Sequence, residues 1–361
     1  MAALLKEEFS RPFVRALGQA LKATTPAFDR DAFARACLRG WTERELKDRM
    51  HRIADQLAVF LPGNYLQQLR KLRAVHDQFT GLAHLVFSDF VERHGLSHPD
   101  PSLDALLEFT RLSSAEFAVR AFIARDPEGM LKRMQAWTTH ESEHVRRLAS
   151  EGSRARLPWA TRVPVLLEDP AAVVPILEAL KDDPSEYVRR SVANNLNDIC
   201  KDHPELALKL AGRWSRGASE ERRRLIKHGL RTLLKAGDPR ALAIVGVGPP
   251  VGVKLTELRV RPRSVLVGQS IKLSFLISAG GEGSRLRLEY AIGFRTARGQ
   301  ESRKVFQIWE GEFSERKRNF KKAHSFRPIT TRRYYTGRHA LYIIVNGKEM
   351  GSTNFMLKPA E

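Results

Sequence analysis

The sequence predicts a multidomain α and β protein, an N-terminal α-solenoid of helical repeats followed by a C-terminal β-sandwich. Three observations predict it. Up to about Gly237, apolar residues recur at helical spacing, as in Ile53-Leu57-Phe60 and Val188-Val192-Leu196-Ile199. Beyond Pro249-Pro250 they alternate instead, in Ile271-Leu273-Phe275-Ile277, Leu286-Leu288-Tyr290 and Leu341-Ile343-Val345. Within the helical part a segment returns at an offset of 77 residues: Pro127-Glu128-x-x-Leu131-Lys132 to Trp137 matches Pro204-Glu205-x-x-Leu208-Lys209 to Trp214. In the same register Ser142-Glu143-x-x-Arg146-Arg147-Leu148 matches Ser219-Glu220-x-x-Arg223-Arg224-Leu225, and Gly152 matches Gly229.

A third copy of the arginine motif, Ser185-Glu186-Tyr187-Val188-Arg189-Arg190, falls between these two, 43 and 34 residues away. Such spacings fit helix-pair repeats of the HEAT kind, stacked into a solenoid with a concave face. Asp183-Pro184-x-Glu186 predicts a helix start, with an N-cap, Pro at the first helical position and an acid at N3. The helical domain is expected over 1–244, a Gly- and Pro-rich linker over 245–254, and the sandwich over 255–361. Gly-Gly-Glu-Gly (280–283), Arg-Gly-Gln (298–300) and Asn-Gly-Lys (346–348) supply turns between six to eight short strands, an immunoglobulin-like pattern.

Composition narrows the function. The 361 residues carry 61 Lys+Arg against 41 Asp+Glu, a net charge of +20. This excess points to a polyanion, nucleic acid before membrane surface. No apolar run reaches the ~18–20 residues of a membrane span. Acids stand in the N-terminal Met-Ala-Ala-Leu-Leu-Lys-Glu-Glu-Phe, where an export signal needs an apolar stretch. Cys37 and Cys200 are too few for a disulfide framework, so a reducing cytoplasm is expected. After residue 250 there are 22 basic and 9 acidic side chains, a net of +13, leaving +7 for the helical part.

On the helix expected from Pro184, Val188, Val192, Leu196 and Ile199 form the inner stripe. Arg190, Asn194 and Asp198 lie on another stripe about 200° away. One repeat earlier, Val145 and Leu148 point inward, Arg147 and Glu151 outward. One arginine pair is ordinarily a solvated face; three in register on so basic a chain favour a track for phosphates. Arg147, Arg189 and Arg190 belong to that track, with Asn194 beside them and Lys227 and Arg231 beyond the third motif. Arg154, Arg156 and Arg162 join it from the segment carrying Leu157-Pro158-Trp159-Ala160.

Carboxylates on such a face are less expected, because they repel the ligand. Glu151 after Arg147, and Asp198 after Arg190, read either as helical ion pairs worth ~0.3 kcal/mol or as groups that stabilise an oxocarbenium-like transition state and position a water. Trp159 reads either as interhelical packing or as contact with a nucleobase or deoxyribose.

Four segments carry a resemblance: Phe109-Thr-Arg-Leu-Ser-Ser-Ala-Glu116-Phe-Ala-Val-Arg120, Glu143-His-Val-Arg-Arg-Leu-Ala-Ser-Glu151-Gly-Ser-Arg, Leu157-Pro-Trp159-Ala, and Tyr187-Val-Arg-Arg-Ser-Val-Ala-Asn-Asn-Leu-Asn-Asp198. Together they resemble the AlkC branch of the HEAT-like alkylated-base DNA glycosylases, many of which append an immunoglobulin-like domain. The Val-Arg-Arg portions are general to HEAT proteins; the Glu151-Gly-Ser-Arg and Leu-Pro-Trp159 segments are more specific. The resemblance implies excision of 3-methyladenine and 3-methylcytosine from double-stranded DNA, without flipping the lesion into a pocket. It carries four positions over: Glu116, Glu151, Trp159 and Asp198. A base already cationic needs no acid to leave, so the reaction calls for carboxylates and a held water, with no metal or organic cofactor. The expected enzyme acts as a monomer in a bacterial-type cytoplasm, associated with the nucleoid through DNA.

His140-Glu141-Ser142-Glu143-His144 also matches the HExxH zinc-protease string. The repeat places His140 in register with Asp183 and Gly217, at a helix boundary, which argues against two imidazoles on one helical face. In the sandwich, Arg316-Lys317-Arg318, Lys321-Lys322 and Arg332-Arg333 lie among Phe320, Phe326, Tyr334 and Tyr335, and are expected to grip DNA. The alternative to the enzyme is a HEAT scaffold that binds nucleic acid and releases no base.

Overall fold

The computed structural model describes residues 5–279, 283–329 and 332–360. Residues 280–282 of the Gly-Gly-Glu-Gly turn and residues 1–4 of the acid-bearing N-terminus lie outside that set. Sixteen α-helices and eight strands lie among the described residues. The first helices are α1 (Arg11–Thr24), α2 (Arg30–Leu38), α3 (Leu46–Phe60), α4 (Tyr65–Arg73), α5 (Leu85–His94) and α6 (Pro99–Phe109). Then come α7 (Val119–Arg125), α8 (Pro127–Trp137), α9 (Glu143–Gly152), α10 (Pro164–Glu168), α11 (Val174–Leu180) and α12 (Glu186–Asp202). The last are α13 (Pro204–Trp214), α14 (Glu220–Gly229), α15 (Arg231–Ala236) and α16 (Pro239–Ile244). None is long and apolar enough to cross a membrane.

The 77-residue repeat is drawn in the helices: α8 and α13 start and end on matched residues, and so do α9 and α14. The matched glycines have a packing reason. A Cβ at Gly152 would stand 2.5 Å from Val119 Cγ2, and one at Gly229 would stand 2.5 Å from Leu196 Cδ2. Each closes its helix where a neighbouring helix comes too near for a side chain. Val188, Val192, Leu196 and Ile199 of α12 are buried as the periodicity requires, and α12 packs on both α9 and α14. Its start differs from the expectation. Ser185 occupies the N-cap position and α12 begins at Glu186, while the Asp183 carboxylate accepts the Ser185 amide at 2.9 Å and is held by Arg146 at 2.6 and 3.0 Å.

By contacts the chain divides into two compact units, Met1–Ala207 with Glu220–Gly229, and Leu208–Ser219 with Leu230–Glu361. In the second unit, β1 (Val253–Arg261), β3 (Ser270–Ala279) and β6 (Lys317–Ser325) form a three-stranded sheet in the order β1-β3-β6. The five-stranded sheet runs β2-β8-β7-β4-β5, from β2 (Ser264–Leu266), β4 (Ser284–Arg295), β5 (Glu301–Phe313), β7 (Gly337–Val345) and β8 (Lys348–Lys358). The apolar alternation that announces the strands supplies the core between the sheets: Ile271, Leu273, Phe275, Ile277, Leu286, Leu288, Tyr290, Leu341, Ile343 and Val345 are all buried. Asn346 and Gly347, both at positive φ (48° and 78°), make the tight β7–β8 hairpin that Asn-Gly predicts.

Candidate active site

The paired arginines of each repeat divide into two kinds. The first brings its own helix start under control. Arg146 Nη1 donates to the carbonyls of His140 (2.9 Å) and Glu141 (2.8 Å), and Arg189 Nη1 donates to those of Asp183 (2.6 Å) and Pro184 (2.9 Å). The same offsets of six and five residues recur, so these arginines satisfy carbonyls of the preceding turn. Arg189, expected on the phosphate track, is a local brace. The second arginine of each pair is the variable one. Arg190 and Arg224 are exposed and pair with Glu186 and Glu220 one turn back, while Arg147 is half-buried and reaches Glu116 at 3.1 Å.

Arg147 belongs to a continuous chain of charges. Its Nη2 stands 3.9 Å from Glu151 Oε1, and its guanidinium lies 4.7 Å from the ring centroid of the exposed Tyr187. Arg154 bridges the next two acids, donating from Nη1 to Glu151 Oε1 (2.7 Å) and from Nε to Asp198 Oδ2 (2.9 Å). Lys201 closes the chain on Asp198 Oδ1 at 3.1 Å, and Ser191 Oγ donates to Glu151 Oε2 at 2.6 Å. Glu116, Glu151 and Asp198 thus face Arg147, Arg154 and Lys201, formally neutral as a set. Burial works against the charge of both arginines. For Arg147 the nearby Glu116 and Glu151 outweigh it, and for Arg154 the bond to Asp198 and the charge of Glu151 do, so both stay above their ordinary pKa.

This arrangement revises the outward stripe expected from the helical wheel. Asp198 is 0% exposed and Glu151 6%, both inside the charge chain rather than on an open face. Arg154, expected on DNA, is buried between them. Arg156 is exposed but bidentate on Asp202, at 2.5 and 2.6 Å. Trp159 goes the other way: its indole is 59% exposed, which removes the interhelical packing reading, and its backbone sits at φ 64°. A bulky residue in the left-handed region costs of order 1–2 kcal/mol and is retained only where its surroundings impose it.

His140 precedes α9 and accepts from the Ser142 amide through Nδ1 (3.0 Å), while His144 lies on α9 against Tyr187. The two imidazoles of the HExxH string do not share a helical face.

Residues 254–359 match the family model described as the C-terminal Ig-like domain of the uncharacterised protein YhaZ. The uncharacterised protein YhaZ of Bacillus subtilis (strain 168) is 42% identical over 355 residues, covering 98% of this chain and 99% of YhaZ. The alkylpurine DNA glycosylase AlkC of Pseudomonas fluorescens, solved bound to DNA containing an abasic site analogue, matches with a TM-score of 0.96 and 36% identity, over 99% of this chain and 100% of that one. The chain belongs to the AlkC family of DNA glycosylases. It is accordingly an alkylated-base DNA N-glycosylase, with a helical-repeat solenoid and an immunoglobulin-like domain.

In this AlkC-family chain the four carried-over positions divide, three acids in one charge chain and the indole on the loop that leaves α9. Of the expected DNA contacts in the first unit, Arg162 and Arg190 are exposed, and Asn194 and Lys227 half-buried. In the second unit Arg231 is half-buried at the start of α15. Arg316, Lys317, Lys321, Lys322 and Arg333 are exposed there, while Arg318 and Arg332 lie partly buried over Trp309 and Phe294. Phe320 and Phe326 are core residues. Sequence reasoning assigns no role to Ser191, Lys201 or Arg120. Arg120 and Tyr187 stand inside the quoted segments, and a buried-position arginine in Val-Arg-Ala-Phe is the available signal for the first.

Proposed function

We propose that this glycosylase hydrolyses the N-glycosidic bond of cationic N3-methylated bases, 3-methyladenine and 3-methylcytosine, in double-stranded DNA. Such a base carries its positive charge before it departs, so no general acid is needed at the leaving group. What remains for the protein is to place negative charge beside the sugar as oxocarbenium character grows, and to hold the water that completes hydrolysis.

The observation that carries the reading is the set of Glu116, Glu151 and Asp198, fixed by two arginines, a lysine and Ser191, with Glu151 and Arg154 on the segment that leads into an exposed Trp159. Carboxylates locked in this way need no reorganisation during reaction, which is where electrostatic catalysis gains most. Glu151 holds the water and faces C1′. Asp198, wholly enclosed, contributes its charge and holds Arg154 in place. Glu116 supports from the Arg147 side. The exposed Trp159 indole contacts the lesion nucleotide, which stays in the duplex without extrusion into a pocket. Arg156, Arg162, Arg190, Asn194 and Lys227 in one unit, with Arg231 and the basic residues 316–333 in the other, supply phosphate contacts. The protein acts as a monomer.

The test is incubation with methylated duplex DNA and chromatographic identification of the released bases. Both named bases are expected. Glu151→Gln with Asp198→Asn is expected to lower single-turnover release by about 100-fold or more. Near-wild-type release by that double variant removes the acids from the mechanism. Tight DNA binding with no base released by the unmodified protein favours the scaffold instead.

A further inference from the structure

We infer that Arg120 is a positioning residue for Trp159, bracing the loop that presents the indole, an inference that rests on the reading of Trp159 as the lesion contact. The loop leaves α9 after Gly152 and rejoins the helices at Pro164. The Arg120 side chain, 3% exposed, lies across its neck. Nη1 donates to the carbonyls of Gly152 (3.2 Å) and Arg154 (2.6 Å) on the outgoing limb, and Nε donates to Thr161 O (2.8 Å) on the returning limb. One planar fork therefore fixes the separation of the two limbs on either side of Trp159.

Lys47 of α3 supplies a second tie, from Nζ to the Trp159 carbonyl itself. A cavity of about 260 Å³, lined by Lys47, His51, Glu92, Phe117, Arg120 and Thr161 among others, adjoins the returning limb, so these hydrogen bonds tie the loop beside unfilled space. Enclosure of Arg120 is costly: burial first, then the neighbouring Arg154, lowers its pKa to about 10. Three carbonyl acceptors offset that cost. The same guanidinium also grips the backbone of Arg154, whose side chain holds Glu151 and Asp198. Through it the indole and the acids share one frame.

The test compares Arg120→Met, Lys47→Met, Trp159→Ala and the double variant Arg120→Met/Trp159→Ala in the full chain. Three quantities are read: base release at saturating methylated duplex, the dissociation constant for that duplex, and Trp159 emission anisotropy. The last is isolated from the other four tryptophans by difference against Trp159→Phe. Arg120→Met is expected to slow release about tenfold or more, change the dissociation constant less than twofold, and lower Trp159 anisotropy. In the Trp159→Ala background it is expected to add less than twofold, because the group it positions is already gone. Lys47→Met, outside the core, is expected to lower anisotropy in the same direction and serves if Arg120→Met does not fold. Multiplying losses in the double variant, or unchanged anisotropy in the foldable variants, overturns the inference. Wild-type release by Trp159→Ala would instead refute the lesion-contact reading, while the anisotropy still decides whether the brace exists.

Discussion

A buried charge is informative because it is costly, and the helical unit holds several. Arg154 is visible in the sequence only as a cation close to Trp159, and cations on a basic chain read as phosphate contacts. Its real direction is set by the loop beyond α9: the helix ends at Gly152, and a helical wheel places nothing beyond a helix end. For the same reason Glu151 and Asp198 are legible as acids that follow an arginine pair, one turn and two turns on, but not as enclosed ones. Their partners come from a loop and from neighbouring helices. Glu92 of α5 offers a cleaner residue-scale test. Burial, and then the charge of Asp89 one turn away, raises its pKa to about 7. Asp89 is itself buried and engaged by His51 Nδ1 at 2.9 Å to both oxygens. The folded pKa lies above the unfolded one, so the favourable contribution is complete below about pH 4.5 and is lost as pH rises through about 7. Glu92→Gln removes the ionisation. Its stability relative to wild type, measured by urea midpoints, is expected to grow from near zero at pH 4 to about 2–3 kcal/mol at pH 8. A difference that stays flat with pH would contradict this account.

At the scale of elements, most of the architecture is written in periodicity. The 3.6-residue pattern of Val188, Val192, Leu196 and Ile199 is the buried face of α12, and the two-residue alternation after Pro250 is the sandwich core. Hydrophobic spacing is legible because burial of one face is the dominant favourable term in forming an element. Helix starts are less legible: the Asp183 carboxylate accepts the Ser185 amide and also binds Arg146 from 37 residues away, a partner no local pattern shows. The matched glycines test whether the 77-residue repeat reflects packing or only ancestry. Gly152 and Gly229 each stand where an added methyl meets a buried Val or Leu at 2.5 Å. Gly152→Ala and Gly229→Ala are each expected to destabilise the protein by about 1–3 kcal/mol, although alanine is the better helix former. Thermal or urea unfolding measures it. Stabilisation by either substitution would mean that the helices move apart at no cost.

For the whole molecule, the net charge of +20 is a statement about two regions of different charge balance, to which the proposed function gives different roles. The part after residue 250 holds 22 basic and 9 acidic side chains, whereas the helical part, nearer balance, buries acids against its arginines. Grip and chemistry are then separable. Lys317, Lys321 and Lys322 are exposed on β6, an edge strand of the three-stranded sheet. Lysines on an edge strand also prevent sheet-to-sheet association, so their presence alone does not establish DNA contact. Salt dependence distinguishes the two roles. Each phosphate contact releases counterions and steepens the slope of log affinity against log salt by about 0.9. In the full chain, Lys317→Ala with Lys321→Ala and Lys322→Ala is expected to flatten that slope by about 2–3 while leaving base release at saturating DNA unchanged. An unchanged slope, with the variant self-associating instead, would assign the three lysines to edge protection. A slope that flattens together with a slower release step at saturation would mean that grip and chemistry are coupled, and that the acids of the helical unit depend on how firmly the duplex is held.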